Sequence, residues 1–207
     1  GRTISADMVL LAVGVRPESG LAREAGLDLG PSGGIRVDDR MQTSDSRIWA
    51  VGDAVESADV ITGEPCLIPL AGPANRQGRI AADAIFAGDI GHRFRGVQGT
   101  AVVGVMGLTV ASTGLSEKAL HRRDTGIVFD KIYIHPESHA AYYPDAKTIT
   151  LKVVYDTADG RVLGAQAVGE KGVEKRIDVI STTIQFSGTI FDLEEVELCY
   201  APQYGSA

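Results

Sequence analysis

The chain has 207 residues, 44% of them hydrophobic and 23% charged, an ordinary globular balance with room for one large domain or two small ones. A formal net charge of −7 and the lack of a basic patch argue against nucleic acid or an anionic membrane surface as partner. No apolar run approaches the ~20 residues that span a bilayer, and the N-terminal GRTISADMVLL lacks the layout of a secretory leader.

In chain order, Asp7 to Val13 is a continuous apolar run, the pattern of a parallel strand covered on both faces. Gly14-Val15-Arg16-Pro17 breaks it. Ser19 is placed to N-cap a short helix through Glu24, and Gly26 to end that helix. Gly30 to Gly34 is a turn, and Ile35 to Asp38 alternates as a half-exposed strand. A polar turn, Thr43 to Ser46, leads into Ile48-Trp49-Ala50-Val51, which reads as a short buried strand. Gly52 and Asp53 follow directly. A carboxylate just past a buried strand stands where open α/β sheets bind ligands, and Gly52 permits close approach to the backbone. Ionised Asp53 only accepts hydrogen bonds, so its partners are hydroxyls or N–H groups, as on a sugar or ribityl chain. The same residue serves equally well to start a loop or cap a turn.

Residues 54–68 form a connection, either a surface loop or a hairpin. Leu70 to Ala87 is the clearest helix, with Ala74, Ile80 or Ala81, Ala84 and Ile85 at helical spacing and Gly88 as its stop. Pro69 and Pro73 fit only in or before its first turn, whose free N–H groups attract carbonyl or phosphate oxygens.

After about Gly91 alternating strands replace the continuous runs. Thr100–Met106 and Leu108–Ser112 meet at Gly107, Ser116 opens the short helix SEKALHR, and Gly126–His135 alternates. Thr148–Tyr155 and Arg161–Val168 flank the turn Thr157 to Gly160. Lys171–Phe186 is amphipathic, with Val173, Ile177, Ile180 and Ile184 on one face. Thr189 caps FDLEEVE. The expected fold is therefore an α/β segment over residues 1–90 followed by an α+β domain with an antiparallel sheet over 91–207.

Cys66 and Cys199 form no CxxC pair, which argues against a zinc site or a vicinal redox pair. Each is expected as a small buried hydrophobe. So few cysteines suit a reducing, cytoplasmic compartment. His135 and His139 are four apart, but Pro136 opposes the helix that would align them, and no metal site is assigned. Tyr142-Tyr143-Pro144 lies in a polar loop and Tyr200-Ala201-Pro202-Gln203-Tyr204 closes the chain. Such phenols either pack with wet hydroxyls or donate protons.

Three stretches carry a family resemblance. Thr43, Ile48, Trp49, Ala50, Gly52 and Asp53 in TSDSRIWAVGD resemble the second flavin motif of the FAD-dependent pyridine nucleotide–disulfide oxidoreductases. Ala12, Gly14 and Pro17 resemble the segment that closes that family's nicotinamide domain. Pro69, Leu70, Ala71, Ala74, Asn75, Gln77, Gly78 and Arg79 resemble its PLAxxANxQGR helix start. The texture of GVQGTAVVGVMGLTVASTGLSEKA is similar to the family's dimerisation domain. The resemblance implies FAD held by Gly52, Asp53, Pro69, Leu70 and Ala71, with NAD(P)H as electron donor.

HAAYYPDAK and the YAPQY ending resemble the coenzyme A–disulfide reductase subgroup. There, one subunit's C-terminal domain supplies two tyrosines to its partner's active-site cysteine. That implies a homodimer with Tyr142 and Tyr200 as catalytic tyrosines, Tyr143 as alternate for the first, and Tyr204 near the partner's flavin. Gln203 departs from the subgroup's usual Pro. The His–Glu pair of glutathione-reductase-like members is missing here. The acceptor implied is a small disulfide, with NADH oxidase or peroxidase (oxygen or peroxide as acceptor) and persulfide reductase as alternatives. The family's Gly-rich ADP motif, its nicotinamide GxGxxG and its catalytic cysteine are not in this sequence. We therefore expect a portion of a longer enzyme, which when isolated is an inactive dimerisation module that binds little flavin or nicotinamide.

Overall fold

The computed structural model describes residues 1–87 and 91–205. The chain from 1 to 19 has no regular structure, and α1 spans Gly20–Glu24. Ser19 stands at the N-cap of α1 but does not cap it. Its hydroxyl donates instead to the Gly33 carbonyl at 2.8 Å, tying the helix to the following turn. Gly26, at φ +77°, ends the helix as expected.

A small three-stranded sheet follows, in the order β1 (Ile35–Arg36), β2 (Val55–Ala58), β3 (Pro65–Cys66), with β1 parallel and β3 antiparallel to β2. Residues 54–68 are thus a hairpin whose tip, Gly63 to Pro65, is exposed, while Glu56, Ser57 and Asp59 are buried. Ser32 N–H donates to the Glu56 carboxylate at 2.8 Å. A Cβ on Gly30 would sit 1.6 Å from a Glu56 oxygen, so any side chain there would displace the Glu56 carboxylate.

α2 spans Ala71–Phe86 and buries Gln77, Ile80 and Ala81. Ile85, expected on the inner face, is 47% exposed. Gly88, expected to stop the helix, lies outside the described residues. Ile80 and Ala81 join Met41, Cys66, Phe94 and Val97 in a compact core.

The second half is a five-stranded antiparallel sheet in the order β4 (Ala101–Val105), β5 (Leu108–Gly114), β8 (Val162–Gly169), β7 (Thr150–Asp156), β6 (Phe129–Ile134). Met106 and Gly107, both at positive φ, make the tight β4–β5 turn. α4 (Val173–Gln185) lies on one face. Its inward Val173, Ile177, Ile180 and Ile184 pack on Ala111, Leu151, Val153, Ala165 and Ala167, the expected helical stripe meeting the expected strand alternation. α3 (Glu117–Arg123), capped by Ser116 Oγ accepting from Ala119 N–H, covers Val154 and Leu163. α5 (Ile190–Glu195) starts on a capping box between Thr189 and Asp192. The rest of the sheet surface away from α4 is open, with Val103, Val105, Leu108 and Val110 each 38–57% exposed. Among the described residues no helix is long and apolar enough to cross a membrane.

Three expectations fail for one physical reason. Asp7–Val13 is not a strand, and Leu10 and Leu11 are 86% and 81% exposed. Ile48–Val51 is not a buried strand. It pairs back on residues 41–43 through an isolated bridge between Gln42 and Trp49, with Ile48 and Val51 exposed. Cys199 is exposed, while Cys66 is buried as expected. An apolar run becomes a covered strand only where ladder partners and a covering layer exist; the described residues give Asp7–Val13 neither, and give Ile48–Val51 only the short pairing with residues 41–43 and cover over Trp49.

Candidate functional site

Two clusters gather the expected site residues. In the first, Gly52 sits at φ +88°, a conformation L side chains rarely adopt, with open space where a Cβ would be. Its N–H donates to Gln77 Oε1 at 2.7 Å, and Gln77 Nε2 donates to Ser57 Oγ at 3.1 Å. Gln77 is 2% exposed, so this amide fastens the Gly52–Asp53 turn to α2. Asp53 is exposed and has no hydrogen bond or ion pair among the described residues. Its side chain caps no turn, and it stands in the turn that leads into β2. At the head of α2, Leu70 is the extended N-cap residue and no side chain caps the helix. Pro73 contributes no N–H, so the first-turn amides of Ala71 and Gly72 are left to an outside acceptor. Pro69 and Ala71 are exposed and Leu70 is half-buried.

In the second cluster, Tyr142 and Tyr200, 58 residues apart, meet hydroxyl to hydroxyl at 3.2 Å, both exposed. Its hydrogen bond with Tyr200 holds the Tyr142 proton and pushes that phenol above its ordinary pKa. The two segments are also joined through the backbone, where Ala140 N–H donates to the Pro202 carbonyl at 3.0 Å. Arg176 on α4 donates to the carbonyls of Glu137 and Ser138 at 3.1 and 3.0 Å, and Lys175 donates to the Tyr204 carbonyl at 3.2 Å. Tyr143, 43% exposed, makes an edge contact with His139 at 5.8 Å. The two expected histidines do not converge. His139 faces Pro144 and Ser138, and His135 faces Thr150. No group of three His, Cys, Asp or Glu that could hold a metal occurs among the described residues.

Cys66 is not activated by these clusters. Burial, with the Asp59 carboxylate beside it, pushes the Cys66 thiol up to about 11, so it stays protonated and unreactive near neutrality. Asp59 in turn pairs with Arg123 of α3 at 2.7 Å, their side chains only 5% and 21% exposed. This buried ion pair joins the β2–β3 hairpin to the sheet domain.

Gln77 and His139 fasten the two clusters through buried hydrogen bonds, although the sequence offered Gln77 only as one match of the helix-start pattern and His139 only beside His135. The signal for Gln77 was an amide in the apolar stripe of α2, which demands buried partners.

The fold agrees with comparisons to known proteins. A model of the pyridine nucleotide-disulphide oxidoreductase dimerisation domain matches residues 100–207, and one of the pyridine nucleotide-disulphide oxidoreductases matches residues 1–78. The chain belongs to this family. Among its relatives, the CoA-dependent NAD(P)H sulfur oxidoreductase of Pyrococcus abyssi is 36% identical over 96% of this chain. The coenzyme A disulfide reductase of Staphylococcus aureus is 35% identical over 99%. The crystal structure of reduced Bacillus anthracis CoADR-RHD superposes with a TM-score of 0.94 at 47% identity, covering all of this chain and 37% of that one. The chain spans 44% and 45% of the length of the two curated relatives.

Proposed function

We propose that this chain is the flavin-contacting and dimerising portion of a cytoplasmic, FAD-dependent NAD(P)H:disulfide oxidoreductase of the coenzyme A–disulfide type. In this reading residues 1–90 belong to the nucleotide-binding domains and 91–207 to the dimerisation domain. The residues present fit a flavin. Asp53 is an unpaired acceptor suited to ribityl hydroxyls. Gly52 leaves room at the backbone, and the uncapped start of α2 offers N–H groups at its positive end. When bound, the flavin supplies two-electron transfer from reduced nicotinamide to a disulfide.

This chain's own contribution is placement and proton supply. Gly52, Asp53 and the Pro69–Ala71 turn bind the cofactor. Val103, Val105, Leu108 and Val110 meet the same face of a second copy in a homodimer. Reduction of a disulfide takes up two electrons and two protons and yields two thiols. Tyr142 and Tyr200 of one subunit donate a hydrogen bond or a proton to the thiolate that departs beside the partner's cysteine, which is not one of the two in this chain.

The observation that supports this reading is the Tyr142–Tyr200 pair: two exposed phenols from distant segments, hydroxyl to hydroxyl, on a rigid framework. In the full-length enzyme, Tyr200→Phe should lower turnover with a disulfide substrate and leave flavin reduction by NAD(P)H intact. Unchanged turnover overturns the role. Steady-state rates with oxygen, peroxide or a persulfide as acceptor separate this reading from the oxidase, peroxidase and persulfide reductase alternatives.

A further inference from the structure

We infer that His139 is the positioning residue of the tyrosine pair, an imidazole clamp that closes the loop carrying Tyr142 and sets that tyrosine against Tyr200. The consequence for catalysis rests on the reading above, but the clamp itself is a matter of geometry. His139 is 8% exposed, and both ring nitrogens are engaged inside one loop. Nε2 lies 3.0 Å from the Pro144 carbonyl. A carbonyl only accepts, so Nε2 carries the proton. In the neutral ring Nδ1 is then an acceptor, and it takes the Ser138 hydroxyl at 3.1 Å. Ser138 Oγ in turn accepts the Lys147 N–H at 3.1 Å. Every partner in this chain of bonds has a consistent donor and acceptor role, and together they fix a single tautomer.

The clamp spans the residues that matter. Between His139 and Pro144 the chain runs Ala140-Ala141-Tyr142-Tyr143. The edge contact with Tyr143 and the Tyr143 N–H bond to the Ala140 carbonyl, at 2.9 Å, stiffen this span from within. From outside, Ala140 is tied to Pro202, two residues beyond Tyr200, and Arg176 holds the carbonyls of Glu137 and Ser138 from the rigid α4. Tyr142 itself is 77% exposed, and its hydroxyl bond to Tyr200 is its one hydrogen bond among the described residues. Side-chain packing therefore does not place this phenol. The loop does, and the imidazole closes the loop.

The test uses the 207-residue chain and needs neither flavin nor disulfide. Ultraviolet difference titration follows its tyrosines. In the native chain one phenol should titrate above the ordinary value of about 10, and Tyr200→Phe should remove that shift. His139→Leu keeps the bulk but loses both ring bonds, and it should bring the raised phenol down as far as Tyr200→Phe does. Adding Tyr200→Phe to His139→Leu should then change nothing further. His139→Gln keeps a donor toward the Pro144 carbonyl and should restore most of the shift. A His139 that only fills space would lower thermal stability in His139→Leu while the phenol titrates as in the native chain, and that result overturns the clamp. Should His139→Leu fail to fold, imidazole 15N shifts of the native chain decide: a ring protonated on Nε2 supports the clamp, and one protonated on Nδ1 overturns it. A disulfide turnover that fails in the full enzyme would count against the proposed function and leave these outcomes untouched.

Discussion

Residues 1–60 and the sheet domain carry the same signal, the apolar run, and treat it in opposite ways. In β8, Val162 and Leu163 are 1% and 0% exposed, whereas Val9, Leu10 and Leu11 are each at least 76% exposed. The difference lies in what surrounds each run. β8 has β5 on one side, β7 on the other, α4 over one face and α3 over part of the second. All of these lie within ~60 residues of it along the chain, so the sheet domain closes its core from consecutive hairpins and a helix. The run at Asp7–Val13 has no such neighbours among the described residues. Burial is thus a property of the layers around a segment and not of the segment alone.

One substitution tests how tightly the regions are joined, and two more test the contrast in burial. Arg123→Ala removes one partner of the ion pair that bridges them and strands the Asp59 carboxylate, which is only 5% exposed. The expected cost is about 3–5 kcal/mol in chemical denaturation. A cost below ~1 kcal/mol would mean that the hairpin moves independently of the sheet domain. Ile177→Ala should cost about 2–5 kcal/mol through its cavity, since Ile177 is 1% exposed at the centre of the main core. Leu10→Ala should stay within about 0.5 kcal/mol. Equal effects of the two would erase the contrast between the regions.

The smaller core of the first region has its own reporter in Cys66. The folded thiol is raised to about 11 from an ordinary 9.0, mainly by burial. The folded state therefore keeps its proton where the unfolded state has lost it. Full stability holds below pH 9 and falls as pH rises toward 11, by roughly 2–3 kcal/mol. Cys66→Ala should flatten that alkaline slope at some cost in packing. An unaltered slope would assign the loss to other groups.

These contrasts also mark what was legible in the sequence. Val173, Ile177, Ile180 and Ile184 were readable as one buried stripe because a 3.6-residue period has one amphipathic solution and the sheet beneath lies in the same chain. Ile48–Val51 read as a buried strand because four apolar residues in a row imply cover on both faces. Its exposed edge depends on layers that no local pattern can report. Cys199 failed likewise, since the tendency of cysteine to be buried says nothing of a particular terminal segment. The tyrosines were singled out by resemblance, but their 3.2 Å contact across 58 residues is a tertiary fact. His139 was weighed only as half of a histidine pair, when its partners were a carbonyl and a serine within six residues.

Gln77 gives the subtlest test, because it works where α2 and the candidate flavin turn meet. Its buried amide accepts from Gly52 N–H and donates to Ser57 Oγ. Gln77→Leu preserves volume and leaves both partners without a bond, at about 1–3 kcal/mol. The larger consequence is positional. Gly52 holds a positive φ that places Asp53 outward, and its link to α2 is what aligns that turn with the uncapped helix start. Amide exchange at Gly52 should accelerate selectively in Gln77→Leu, while exchange in β7 and β8 stays unchanged. Acceleration spread through the sheet would make Gln77 a general stabiliser. Exchange confined to the 52–57 turn identifies it as the residue that holds the Gly52–Asp53 turn in register with α2.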